Sequence, residues 1–213
     1  KNGAAANGVP EEAARKIFGK FSGQYMFPES HAYAFGITVY QMAWIKHYYP
    51  LEFYVSIFNQ QPMGFYSLET LKEDANHHNI KVLNPNINES AKKCEIKDDN
   101  SFMLGLMNIK GIGKTSVDTI TKARENGGEF HDLADVVKRT GLQRKPIENS
   151  IAAGALDFLI SDRRSALWEV GLLYRPNSNK QALPFPVEQD MTPLPLTTNW
   201  ESMIGEYRAI NLY

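Results

Sequence analysis

The chain has 213 residues, 43% of them hydrophobic and 22% charged, the proportions of a soluble globular protein with one large core or two small ones. The formal net charge is −1, so no overall basic field advertises a nucleic-acid partner, and any such contact must come from a local patch. A single cysteine, Cys94, excludes an intramolecular disulfide framework and fits a reducing, cytoplasmic compartment, and no apolar run reaches the ~20 residues of a membrane helix, so no membrane partner is expected.

Pro10 followed by Glu11 and Glu12 predicts a helix start, with a preset φ and negative charge at the positive end of the helix dipole. Ile17, Phe18 and Phe21 give that helix an apolar side. "FPESHAYAFGITVYQMAWIKHYYP" predicts a second, longer helix closed by Pro50; its apolar residues surround it on most sides, so it is expected to be well buried. "LEFYVSIFNQ" continues as a third helix, and Ser67 caps a fourth, "SLETLKEDANHH". His77 and His78 at its end read as favourable charges near a C-terminal dipole.

"IKVLNP" and "CEIKDDNSFML" read as short strands, the latter turning on Asp98-Asp99-Asn100. From about Leu106 the helices return, short and broken by glycines. Between Tyr174 and Trp200 the chain is too rich in proline for a helix or a central strand and reads as a linker. There is no initiator methionine, and "RAINLY" reads as the start of a further element, so a piece of a longer protein is expected.

"NIKGIGKTS", Asn108 to Ser116, ends as a phosphate-binding P-loop ends. The P-loop reading fails: Asn108 stands where the first glycine should be, and "FMLGLM" before it lacks the β-branched residues of a buried strand. The alternative is a turn between two short helices. Gly111 and Gly113 flank Ile112, which can tuck inward, while the glycines let a phosphate approach the backbone. The next helix begins near Lys114, and its first amides would be unpaired and point outward. Lys110 and Lys114 add charge; Thr115 and Ser116 add hydroxyl donors. Such a site grips a backbone phosphate and reads no base. An ordinary interhelical turn with a glycine cap is the plain alternative.

The stretch from "GLMNIKGIGKTS" to "ENSIAAGALDFL" resembles the tandem helix-hairpin-helix module of bacterial family C DNA polymerases, the DNA polymerase III alpha subunits. Upstream, "FPESHAYAFGITVYQ" and "NQQPMGFYS" look like the last part of their fingers domain. That wording, with "DRRSALWEVG" and "GEYRAINLY", is closest to the error-prone branch used in lesion bypass. The resemblance implies a mainly α fold: residues 1–83 the end of the fingers, 84–105 a small β connector, 106–176 the tandem hairpin module, 177–199 a proline-rich linker and 200–213 the start of a next domain. It implies a duplex DNA partner, the primer–template, held by its sugar-phosphate backbone. It also implies magnesium for the parent polymerase, with no cofactor and no palm aspartates in this stretch, which should therefore be catalytically silent.

On this resemblance the first hairpin is Lys110 to Ser116. The second falls around "AAGALDFLISDRR", with Gly154 at the turn and Arg163 and Arg164 opening the next helix. Leu156 stands where a second glycine would help, so this hairpin is expected mainly to brace the first, with Asp162 capping the next helix. Between the hairpins, Lys138, Arg139, Arg144 and Lys145 form a basic cluster that reads either as DNA-contacting surface or as a solvated helix face. Ser30 and His31 lie in the family's fingers motif, although a lone histidine on an aromatic-rich helix is more often a packed residue. "QALPF" resembles the peptide by which bacterial polymerases dock on the sliding clamp. Gln181 would bond at the rim of a groove, Leu183 and Phe185 would fill pockets, and Pro184 would lower the ordering cost; a linker resting on its own protein is the alternative.

Overall fold

The computed structural model describes residues 3, 6–20, 29–64, 66–174 and 194–212. Two compact units divide at Tyr48/Tyr49. In the first, α1 (Glu11–Lys20) opens with its two glutamates, each paired one turn on: Arg15 with Glu11 at 2.8 Å and Lys16 with Glu12 at 3.1 Å. Both pairs are solvent-exposed and contribute a few tenths of a kcal/mol at most. α2 (Glu29–Tyr48) has no buried residue, which corrects the expectation of a well-buried helix. Its apolar side chains encircle it, so they do not gather into one stripe, and Tyr33, Phe35, Tyr40 and Trp44 all stand exposed. Neighbouring turns touch along the helix, as in His31 against Phe35, with ring centroids 4.4 Å apart.

The second unit starts with α3 (Pro50–Asn59), where Pro50 takes the first helical position, its missing N–H costing nothing there. Leu51, Tyr54 and Phe58 recur at helical spacing and are buried. α4 (Leu68–His77) is capped by Ser67, whose hydroxyl accepts from the Thr70 amide at 3.1 Å, and it buries Leu71 and Ala75. The Tyr54 hydroxyl donates to Asp74 at 2.8 Å, tying α3 to α4.

Strands β1 (Lys81–Leu83), β2 (Glu95–Asp98) and β3 (Ser101–Met103) form a sheet ordered β1-β3-β2. β1 runs parallel to β3, with Val82 opposite Phe102; β2 runs antiparallel, with Ile96 opposite Phe102. The sheet thus straddles the expected boundary at 83/84. The β2–β3 turn falls on Asp98-Asp99-Asn100, where Asp98 accepts from the Asn100 amide and the Ser101 hydroxyl. Phe102 is fully buried and stacks edge-on against Phe58 at 5.0 Å. The Asn59 side chain donates to the Cys94 carbonyl and accepts from the Cys94 amide, pinning α3 to the approach of β2. Burial pushes the Cys94 thiol pKa up, so it stays a protonated packing group.

A 3-10 turn, Leu106–Asn108, leads to α5 (Lys114–Gly127), α6 (Leu133–Thr140), α7 (Arg144–Ala152), α8 (Arg163–Leu173) and α9 (Asn199–Ile210). Ile109, Ile112, Val117, Ile120, Leu133, Val136, Ile147, Ile151, Leu156 and Val170 join the same core as the sheet. The fold is mainly α, nine helices and one small sheet among the described residues. α9 departs from the reading of 200–213 as a next domain. It begins with a Thr198–Glu201 capping box, packs along α7, and buries Ala209 and Ile210 in this core.

Candidate nucleic-acid interface

The turn between the 3-10 segment and α5 is built around Gly111, whose φ of +84° lies in the left-handed region where a side chain is strained. The Ile112 amide donates to the Ile109 carbonyl at 3.0 Å, and the Ile112 side chain is buried, holding the turn shut from inside. Gly113 occupies the N-cap of α5 with no side-chain cap. The first intrahelical bond runs from the Val117 amide to the Gly113 carbonyl. The amides of Lys114, Thr115 and Ser116 therefore meet no acceptor among the described residues. A Cβ on Gly113 would find open space, so the approach to those amides is clear. Gly111, Gly113, Lys114 and Thr115 are exposed and Ser116 is half-buried, and among the described residues the Lys110 and Lys114 ammonium groups make no ion pair. Bare amides, a helix dipole and two free cations together suit an anion.

This turn is held from behind. The Lys110 amide donates to the Ala209 carbonyl of α9 at 2.9 Å, and the Lys110 carbonyl accepts from the Asn149 side chain of α7 at 2.6 Å. Pro146 also lies against Gly111, so the first turn of α7, with Arg144 and Lys145, flanks the hairpin. Asn149 and Ala209 carried no signal in the sequence, because they meet the hairpin from 39 and 99 positions away.

The basic cluster divides by task. Arg139 is corrected from surface cation to internal staple. Its guanidinium donates to the carbonyls of Ala123, Gly128 and Glu129, pairs with Asp135 at 2.8 Å and lies 4.4 Å over the Phe130 ring. It closes the C-terminal end of α5, where unpaired carbonyls need donors. Arg144 and Lys145 share the Glu148 carboxylate, at 2.7 and 3.4 Å, and Lys138 is exposed.

The second turn has the same opening and a different continuation. Gly154 has φ +78°, and Ala155 and Leu156 are fully buried behind it. The chain turns again before α8 begins at Arg163. Asp162 caps that helix, its carboxylate accepting from the Arg164 and Ser165 amides at 2.8 and 3.1 Å and from the Thr197 amide at 2.7 Å. Partial burial works to raise the Asp162 pKa, but these hydrogen bonds outweigh it and hold it below the usual carboxylate range. Arg163 pairs with Asp157 at 2.6 Å and Glu206 at 2.8 Å, its side chain only 14% exposed, and Arg164 pairs with Glu201 at 2.5 Å. Both arginines expected on DNA are thus engaged by carboxylates, because α9 returns across this hairpin.

Gln181, Leu183, Pro184 and Phe185 lie outside the described residues. Among the described residues no three His, Cys, Asp or Glu side chains converge to hold a metal ion, and no helix is long and apolar enough to cross a membrane.

A family described as helix-hairpin-helix motif matches residues 79–166, a span that includes both glycine turns. The error-prone DNA polymerase of Dechloromonas aromatica is 34% identical over 212 residues, covering 99% of this chain and 20% of that protein. The error-prone DNA polymerase of Corynebacterium diphtheriae is 41% identical over 147 residues, 69% of this chain and 14% of that protein. That of Mesorhizobium japonicum is 31% identical and aligns with 99% of this chain and 21% of its own length. The chain thus spans about a fifth or less of the relatives it matches. It belongs to the error-prone branch of the bacterial family C DNA polymerases.

Proposed function

We propose that this chain binds the sugar-phosphate backbone of duplex DNA without reading its sequence, as part of a bacterial error-prone DNA polymerase. The observation that carries this reading is the uncapped N-terminus of α5 behind Gly113, with the exposed Lys110 and Lys114 beside it. Backbone amides at a helix end recognise a phosphate by charge and geometry and carry no base information. Arg144 and Lys145, and Lys138 further along, extend the positive surface; Arg139 and Arg163 do not, since their charge is spent inside the fold. Synthesis across lesions is the activity this reading assigns to the whole polymerase, with magnesium held outside the residues described.

Anisotropy titration of labelled duplex at several salt concentrations tests this. Each neutralised phosphate adds about −0.9 to the log–log salt slope, so two free lysines and the amide site predict a slope of about −2 or steeper. Replacing Gly111 and Gly113 together by valine should weaken binding about tenfold or more, equally for unrelated sequences, because φ at Gly111 becomes strained and the approach closes. Equal binding by parent and double variant would refute the hairpin reading.

Docking on the sliding clamp through Gln181, Leu183, Pro184 and Phe185 is a separate part of the proposal, supported by the sequence pattern "QALPF". Loss of clamp capture in Phe185→Ala, with duplex affinity unchanged, is the expected outcome.

A further inference from the structure

We propose that Asn149, on the first helix of the second hairpin, is a positioning residue for the phosphate-binding turn of the first. The inference rests on the DNA-binding reading above. Both backbone polar groups of Lys110, which lie in successive peptide units, are used by elements outside its own hairpin: its amide donates to the Ala209 carbonyl, its carbonyl accepts from Asn149 at 2.6 Å. Lys110 is the last residue before the left-handed turn at Gly111, so the plane of the Lys110–Gly111 peptide, which carries the carbonyl that Asn149 holds, sets where the chain enters the turn. The Asn149 amide nitrogen also lies 3.6 Å from where a Cβ of Gly111 would stand, in ordinary contact with the turn itself.

Asparagine suits this position for a chemical reason. A carbonyl needs a donor, and the side-chain amide supplies one without charge. Aspartate, of nearly the same volume, presents acceptors to an acceptor and adds a negative charge beside the anion site. Alanine leaves the carbonyl to water and frees the turn to sample other entry angles. Asn149 touches no DNA on this account. It acts by holding Lys110, and through it the amides of Lys114 to Ser116, in one arrangement, which lessens the ordering that binding must impose.

The test is duplex binding by the chain carrying Asn149→Ala, measured as affinity and as salt slope, beside a thermal melt. The expected result is a five- to tenfold loss, about the effect of one hydrogen bond, with a slope shallower by about 0.9 as one phosphate contact is lost. A purely structural role would lower the melting temperature and leave the slope of the folded chain at its parent value, which would overturn the proposal. Asn149→Asp fills the same space and serves as the second variant should the alanine chain melt early. It should lose slope and affinity at least as much, and parent-like binding by it would equally overturn the idea. The Gly111→Val, Gly113→Val chain separates the two readings. If it binds as the parent does, the hairpin itself is not the site and Asn149 falls with it. If it fails to bind while Asn149→Ala keeps the parent slope, only the positioning role is lost.

Discussion

The two glycine turns begin alike and end as opposites. Gly111 and Gly154 share a left-handed φ, +84° and +78°, the one followed by buried Ile112, the other by buried Ala155 and Leu156. After Gly111 the chain enters a helix at once, through a second glycine, and leaves its amides bare. After Gly154 it places Leu156 in the core and turns again. It then enters its helix through Asp162, whose carboxylate already occupies the place an external anion would take. The same helix-end physics is directed outward once and inward once. A glycine turn before a helix is therefore an anion site only where the next residues leave the helix end unoccupied.

The largest effect expected from this contrast is on stability, at the second turn. Arg163→Ala strands Glu206 and Asp157 without their cation, and removing one partner of a mostly buried pair costs about 3 kcal/mol. Calorimetry should find the thermal midpoint lower by roughly 6–12 °C. The duplex salt slope should stay at the parent value; a slope shallower by one phosphate would mean that the second turn also contacts DNA and would break the comparison.

Next comes the first turn. Lys110→Ala with Lys114→Ala removes two exposed cations and little packing, so the melt should barely move while the salt slope loses about 1.8. Titrations at three salt concentrations are enough to see this, and an unchanged slope would place the phosphate elsewhere.

The smallest effect is a pH dependence at the cap of α8. Because the folded Asp162 pKa is lowered, its contribution is full above the unfolded pKa of about 3.9 and is lost as pH falls through the folded value. Asp162→Ala should thus melt about 1 kcal/mol less stably at neutral pH, a gap that narrows below about pH 4. A gap that widens with acid would contradict the inward-facing carboxylate.

Features set by neighbours in sequence were legible from the residues alone. Pro50 at a helix start, Ser67 and Asp162 as caps, the turn at Asp98-Asp99-Asn100 and the Gly111-Ile112-Gly113 bend each depend on a few adjacent positions. Long-range tasks were not legible. Arg139 and Arg163 look like surface cations until α5 and α9 present carbonyls and carboxylates to them. Asn149 reads as one more polar residue of a short helix until Lys110 arrives from 39 positions away. α2 misled for the reverse reason: its composition predicts burial, but burial depends on neighbours that encircle it, and composition names none.

The bond from Lys110 to Ala209 has a practical consequence for anyone trimming this protein. A piece cut after Tyr174 keeps both glycine turns and all the cations discussed, and would look complete by motif. It would nonetheless leave the Lys110 amide without its acceptor, Arg163 short of a counter-ion and the core open where Ile210 and Leu212 had sat. The shortest fragment worth assaying on DNA therefore extends through Leu212.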